Sequence, residues 1–291
     1  MKEAMFYKKL NHNKVQCQLC PRNCVIGEEK TGFCTVRKNI DGKLYSLVYG
    51  KFCSIAIDPI EKKPLYHFHP GTKCLSIATV GCNLNCKFCQ NWEISTAKEV
   101  KGQELSPEQV VQIAKDYNTA GIAYTYTEPL LAIEIYLEIM KLARKEKLYN
   151  VWVSNGYTNP EPARKAAKYL DAINVDLKGS SKLYKELCAV ADEKPIYEAL
   201  KIYRQNNVHI ETTTLIIPGY NDDSKTLQEI VNWVKSNLGA DTPMHFSRFF
   251  PHHKMKNVQP TPIETIKKAL EIAKKAGIKH VHAGNVPGYA F

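Results

Sequence analysis

Three cysteines stand within eight residues in Cys82-Asn-Leu-Asn-Cys86-Lys-Phe-Cys89. Thiolates spaced CxxxCxxC can each hold one iron of a four-iron cluster, and with no fourth cysteine in the loop the last iron is open to bind a ligand. Electron-carrying clusters usually have four cysteine ligands, whereas the next cysteine here, Cys188, lies far along the chain. Two other readings compete. Zinc sites often begin from cysteine pairs, but they need a second pair or a histidine pair nearby, and none follows Cys89 closely. Three unrelated packed thiols are the other reading, and a polar, Asn-rich loop makes a poor core segment.

A second set, Cys17, Cys20, Cys24 and Cys34, supplies four thiolates, enough to close a site completely. Zinc would make it a structural knuckle; a second iron–sulfur cluster would make it an electron relay to the first. The surrounding segment is rich in Pro, Gly, Asn and Lys with little apolar periodicity, so a bound metal is its expected staple. Cys53, Cys74 and Cys188 lack close cysteine partners in sequence and read as small packed residues.

Glu128, Asp176 and Lys178 are the charges suited to a bound zwitterion. An amino acid needs a carboxylate for its ammonium and a cation for its carboxylate, and ribose hydroxyls suit an aspartate acceptor. Asp176 and Lys178, two apart on a strand, also share a face, so a plain ion pair is the competing reading. His245 alone reads equally as a hydrogen-bonded core histidine. Arg248, His252 and His253, with Phe246, Phe249 and Phe250, form either a basic aromatic rim for an anionic substrate or polypeptide, or a solvated loop over core aromatics.

These groups need a scaffold to bring them together. Segment 73–80 is β-rich and ends at the cysteine loop. Ser106-Pro-Glu-Gln109 is a capping box with proline at the first helical position, and Val110, Ile113, Ala114 and Tyr117 follow at helical spacing. Leu131, Ala132, Ile135, Ile139, Leu142 and Ala143 mark the apolar face of the next helix. Further strands are expected at 122–127, 151–154, 172–177, 209–217, 244–249 and 279–282, and helices at 160–170, 195–206, 224–237 and 261–276. Six or seven β-then-α units call for an α/β fold, a partial (βα)6-type barrel, with a doubly wound sheet as the alternative. In barrels the chemistry lies at the C-terminal strand ends. The cysteine loop, Glu128, Ser154 with Asn155, Asp176 with Lys178, and His245 all fall at such ends.

The 291 residues suffice for one such barrel over 73–291, preceded by a Cys-rich metal-binding segment over 1–50 and a turn-rich connector over 51–72. A composition of 44% hydrophobic and 24% charged residues excludes disorder. No apolar run reaches the length of a membrane span and Met1-Lys-Glu-Ala lacks a signal-peptide core, so a soluble, cytoplasmic protein is expected. Nine of the ten cysteines fall in the first 89 residues, which favours metal ligands in a reducing compartment over a disulfide scaffold. The formal charge of +11 would suit nucleic acid, anionic membrane or an acidic substrate, and no compact basic motif points to nucleic acid.

Cys82-x-x-x-Cys86-x-Phe-Cys89 after a strand resembles the radical S-adenosylmethionine (radical SAM) superfamily, and Cys89-Gln-Asn91 resembles its pyruvate formate-lyase-activating-enzyme branch. Asp58-Pro-Ile-Glu-Lys-Lys-Pro64, His67-Phe-His-Pro-Gly71, Phe88-Cys-Gln-Asn-Trp92 and Tyr124-Thr-Tyr-Thr-Glu-Pro129 are similar to the radical enzyme of the AmmeMemoRadiSam system. So are Asn174-Val-Asp-Leu-Lys-Gly179, Pro243-Met-His-Phe-Ser-Arg-Phe249 and Gly284-Asn-Val-Pro-Gly288.

The resemblance implies a 4Fe–4S cluster with an open iron on Cys82, Cys86 and Cys89. It implies S-adenosylmethionine held by Glu128 at the methionine amino group, Lys178 at the carboxylate, Asp176 at the ribose and His245 at the adenine, with Ser154 and Asn155 as further contacts. Where the superfamily often has Gly-Gly-Glu, this chain has Tyr126-Thr127-Glu128. An electron from a donor such as flavodoxin or ferredoxin would cleave the cofactor, and the 5′-deoxyadenosyl radical would take a hydrogen atom from substrate. The implied substrate is a protein glycine, as for a glycyl-radical activase; radical modification of a metabolite, peptide or RNA, and a non-catalytic metal-binding role, are the alternatives. Other proteins of the AmmeMemoRadiSam system are the implied partners. Members of that family are expected to continue past Phe291 into a tail with another cysteine pair.

Overall fold

The computed structural model describes residues 1–286. Its centre is one eight-stranded sheet in which every strand pairs with its sequence neighbour. The strands are β1 (Ser54–Pro59), β2 (Lys73–Ala78), β3 (Gly121–Tyr124), β4 (Tyr149–Ser154), β5 (Ala172–Asp176), β6 (His209–Ile216), β7 (Met244–Arg248) and β8 (Val281–Gly284). Pairing is parallel from β2 to β8, while β1 runs antiparallel to β2. Among the described residues no ladder joins β1 to β8, so the barrel is open along that seam.

The helices that cross between strands are α1 (Pro107–Asp116), α2 (Ile133–Lys145), α3 (Pro160–Ala167), α4 (Ser181–Cys188), α5 (Lys194–Gln205), α6 (Ser224–Leu238) and α7 (Ile263–Lys275). The capping box at α1 forms as its residues require: Ser106 Oγ accepts from Gln109 N at 3.3 Å and Gln109 Oε1 accepts from Ser106 N at 2.8 Å. Such a box stabilises a helix start by about 1 kcal/mol. None of the described helices is long and apolar enough to cross a membrane.

Two parts differ from expectation. The segment 51–72, expected as a connector, supplies β1 and then closes the barrel floor. Asn174 Nδ2 donates to Pro64 O at 2.8 Å, and the Glu211 carboxylate accepts from Tyr66 N at 3.0 Å and His67 N at 2.7 Å. Polar side chains inside the barrel thus satisfy the backbone of an irregular plug. The N-terminal segment, in turn, has a core of its own. Two small antiparallel sheets, one of Lys2–Glu3, Lys43–Ser46 and Arg37–Ile40 and one of Tyr7–Lys9, Val15–Cys17 and Val25–Ile26, bury Val15, Ile26, Val36, Leu44 and Val48. That apolar cluster is continuous with the barrel core, so metal is not its one source of stability.

A buried ion pair locks this segment to α2. Arg37 Nη2 lies 2.8 Å from both Glu134 oxygens, the two side chains being 1% and 2% exposed. Glu134 Oε1 also accepts from Met5 N at 2.8 Å. At the other contact, Gly81 opens the cysteine loop at φ +99°, where a Cβ would stand 2.7 Å from Val36 Cγ1. A side chain there would push the loop off the N-terminal segment, and the left-handed backbone itself favours glycine.

Candidate active site

The cysteine loop leaves the C-terminal end of β2 and packs against the end of α4. Asn85 N donates to Cys188 O at 3.1 Å and Lys87 N to Leu187 O at 2.8 Å, so the loop satisfies carbonyls that the helix end leaves free. The Cys82 sulfur accepts from Leu84 N at 3.4 Å and from Asn155 Nδ2 at 3.5 Å, and Cys89 Sγ meets Ser95 Oγ at 3.6 Å. Burial pushes the Cys82 and Cys89 thiols up; for Cys86 the Cys188 thiol against it and then burial do so. Without metal these sulfurs keep their protons, and iron would have to displace them. Cys188 itself is buried and stands behind Cys86, outside the cavity wall.

All three loop cysteines face one cavity of about 330 Å³, within the range of small-molecule sites. Glu128, Ser154 with Asn155, and Asp176 with Lys178, which follow or end three successive strands as the sequence requires, line the same cavity. Glu128 is buried and accepts from Ser154 Oγ at 3.0 and 3.1 Å, Asn155 N at 2.9 Å and Leu130 N at 3.1 Å. Burial pushes its carboxyl up to about 7 despite those donors. Such a group gains most from a cation brought beside it.

Asp176 Oδ2 and Lys178 Nζ are 2.5 Å apart. Burial alone would lower the Lys178 ammonium, but the Asp176 carboxylate outweighs it and holds the proton above the ordinary lysine range. Asn221 Nδ2 fixes the Lys178 carbonyl at 2.6 Å, and the Tyr184 hydroxyl accepts from Lys178 N at 3.0 Å. The ion pair and the cavity position therefore coexist: the lysine is buried, its aspartate is partly exposed, and both border open space.

His245 is not brought into this set. Its Nε2 lies 2.6 Å from Glu211 Oε2 and the ring is buried, off the cavity wall. Strand alternation explains it: Ser247, two residues nearer the rim on the same face, lines the cavity, and His245 occupies the layer beneath. Of the proposed basic aromatic rim, Arg248 Nε is tied to Thr261 O at 2.7 Å, while Phe246 and Phe249 are core residues. The sequence reading missed Lys62, Lys63, Tyr126 and Ser247 as wall residues. Only the unexplained Asp58–Pro64 motif signalled the first two.

Cys17, Cys20, Cys24 and Cys34 converge on a small cleft that Arg37 and Asn83 also line. Burial pushes the Cys20 thiol up to about 12 and Cys34 to about 11. Asn83 connects this cleft to the cavity, for its Oδ1 accepts from Asn155 Nδ2 at 2.9 Å. Among the described residues no three His, Cys, Asp or Glu side chains are grouped as ligands for a metal ion. Tetrahedral zinc at about 2.3 Å from each sulfur needs thiolates within about 4 Å of one another, whereas a four-iron cluster spreads its ligands over separate irons. The loop fits that second donor set: three sulfurs border one space, a backbone and an amide N–H point at one of them, and the side left without cysteine faces Glu128 and Lys178.

Residues 76–234 match the family described as the Radical SAM superfamily, more than half of the chain. The chain belongs to that superfamily. Its cofactors are therefore a 4Fe–4S cluster and S-adenosylmethionine, and it is a radical SAM enzyme. An uncharacterized protein of Methanocaldococcus jannaschii is 47% identical over 291 residues, covering 99% of this chain and 86% of that one. The pyruvate formate-lyase-activating enzyme of Clostridium pasteurianum is 22% identical over 162 residues, 54% of this chain and 67% of its own. Streptococcus suis SuiB, solved bound to S-adenosylmethionine, superposes with a TM-score of 0.58 at 13% identity, covering 75% of this chain and 54% of that one, which is a likeness of fold.

Proposed function

We propose that Cys82, Cys86 and Cys89 hold the cluster, and that S-adenosylmethionine binds with its ammonium on Glu128, its carboxylate at Lys178 and its ribose on Asp176. When bound, the pair supplies a 5′-deoxyadenosyl radical that takes a hydrogen atom from substrate. The observation that carries this reading is the single cavity bordered by three loop thiols, a buried carboxyl raised to about 7 and a buried ammonium. Ser154 and Asn155 aim the carboxylate; Asn155 contacts the acid through its backbone N–H and Cys82 through its side-chain amide, so one residue touches both the acid and a cluster ligand. His245 has no part in cofactor contact here, because its ring is engaged with Glu211 one layer below.

The N-terminal cysteines are proposed to hold a metal of their own, zinc or a second cluster, and an external reductant such as flavodoxin or ferredoxin to supply the electron. Membership of the AmmeMemoRadiSam system, with its other proteins as partners, is supported by the motifs from Asp58–Pro64 onward; of Gly284–Gly288, Pro287 and Gly288 lie outside the described residues. The Clostridium relative's name supports a glycyl residue of a partner protein as substrate. One observation favours a metabolite instead: the cavity continues past the cofactor groups to a buried lysine, Lys63, which a glycyl backbone does not need.

Anaerobic reconstitution followed by an assay for reductive release of 5′-deoxyadenosine tests the core of this proposal. Release is expected from the intact chain and not from Cys82→Ala, Cys86→Ala or Cys89→Ala. Undiminished release by Cys86→Ala would refute the ligand assignment, and binding without release would leave a non-catalytic metal protein.

A further inference from the structure

Beyond the cofactor groups, the cavity wall includes Lys62, Lys63 and Tyr126. Lys62 ends the short turn of helix Ile60–Lys62 that follows β1, and its ammonium lies 2.7 Å from Asp58 Oδ1. Lys63 Nζ lies 2.7 Å from the other oxygen, Asp58 Oδ2, with a side chain only 1% exposed. One carboxylate thus serves two ammonium groups. The Tyr126 hydroxyl also donates to Asp58 Oδ2 and stands 3.4 Å from Lys63 Nζ, which lies 4.5 Å from the centre of the Tyr126 ring.

Charge and donor capacity are both left over. The three ionised groups of this network sum to one positive charge, carried where Lys63 borders the cavity. Lys63 has three N–H donors and two protein acceptors, Asp58 and Tyr126. Asp58 cannot relieve the excess by taking a proton: burial works against its charge, but bonds from Lys62, Lys63 and Tyr126 hold it well below the ordinary carboxylate range. Burial in turn makes the Lys63 charge costly and lowers its pKa. A buried ammonium with surplus charge is relieved by an anion beside it.

The network is also fastened to the cluster loop. Tyr126 has φ +65°, a left-handed conformation that a bulky residue adopts only when its surroundings impose it. Asn91 Nδ2, two residues after Cys89, donates to the Tyr126 carbonyl at 2.8 Å, while the hydroxyl of the same tyrosine reaches Asp58. In the register of β1 with β2, Asp58 lies opposite Cys74, well below the rim from which the cysteine loop departs. Lys63 is therefore at the deep end of the cavity, below the cofactor groups, while the neighbouring Lys62 side chain reaches solvent.

We propose that Lys62 and Lys63, held by Asp58 and Tyr126, form the anion-binding end of the substrate site, so that the substrate is a small molecule bearing a carboxylate or phosphate group. This rests on the reading of the cavity as a radical SAM site. The acid group would sit at Lys63 and direct the carbon that loses hydrogen toward the rim. Tyr126 is a positioning residue: it orients Lys63 and ties that orientation to the cluster loop.

Calorimetric titration of the anaerobic, reconstituted, S-adenosylmethionine-loaded protein with inorganic phosphate, and separately with malonate, tests this without requiring turnover. At least one anion should bind at a single site, and its affinity should fall by about tenfold or more in Lys62→Met and in Lys63→Met, the loss of one charge-assisted contact. Preference for phosphate or for malonate distinguishes the two acid groups. Lys62 is largely exposed, so its variant remains a folded test if Lys63→Met does not fold. Lys115→Met on α1, outside the cavity wall, should bind as the parent does. Absence of binding, equal binding by the Lys62 and parent proteins, or binding of an acidic peptide with neither small anion would overturn the proposal. Loss of 5′-deoxyadenosine release with anion binding intact would instead overturn the radical SAM assignment of the cavity.

Discussion

Replacing Glu128 by glutamine should make the protein's stability less sensitive to pH. The carboxyl is buried among three hydrogen-bond donors, Ser154 Oγ, Asn155 N and Leu130 N, and is pushed from its ordinary 4.5 up to about 7. A raised folded-state value means that its stabilising contribution is fully present below about pH 4.5 and is lost as pH rises through about 7. The whole loss is about 3 kcal/mol, at about 1.4 kcal/mol for each tenfold change in proton affinity. Glutamine does not titrate. Its amide must turn an NH2 toward either Leu130 N or Asn155 N, a cost of about 1–2 kcal/mol that is independent of pH. Urea denaturation of the reduced, metal-free protein between pH 5 and 8 should therefore show the variant gaining about 2–3 kcal/mol relative to the parent across that interval. Parallel stability curves for the two proteins would refute the claim that Glu128 is the buried, strained acid of this cavity. Bound S-adenosylmethionine should narrow the difference, because its ammonium compensates the charge.

Arg37→Met should destabilise the protein by about 3–5 kcal/mol by leaving the buried Glu134 charge unpaired, and limited proteolysis should then cut within residues 1–50 first. Cys188→Ser should leave the iron bound by the Cys82–Cys89 loop unchanged on metal analysis, since Cys188 backs Cys86 without facing the cavity. Asn155→Ala should change the reduction potential of the loop cluster, measured by redox titration, because it removes an N–H donor to the Cys82 sulfur. In a Cys17→Ala, Cys20→Ala double variant, iron and zinc analysis should show loss of one metal species and retention of the loop iron.

The alternation of strands and helices was legible because each element is long enough to show its period, and the rim acids were legible because strand ends sit beside turn residues. Other parts were hidden for physical reasons. Ser54–Pro59 joins the sheet antiparallel ahead of the repeats, and its Pro-rich sequel reads as a turn although it plugs the barrel floor. The α4 helix is short, and its role is to offer carbonyls to the cysteine loop. Sequence spacing puts His245 and Ser247 on the same face but does not tell which layer each occupies; Glu211, which takes the histidine, is a partner only the fold supplies. Nothing in the sequence marks Lys63 as buried, because the tyrosine and aspartate that hold it inside lie on other elements.

Electron paramagnetic resonance of the reduced, reconstituted protein, with and without S-adenosylmethionine, tests the open iron most directly. The Cys82–Cys86–Cys89 site should give a cluster signal whose g-values shift when the cofactor is added, and Glu128→Gln together with Lys178→Met should weaken that response. A signal unchanged by saturating cofactor would contradict the account, for it would mean that no iron in the cluster is free to take the amino and carboxylate groups.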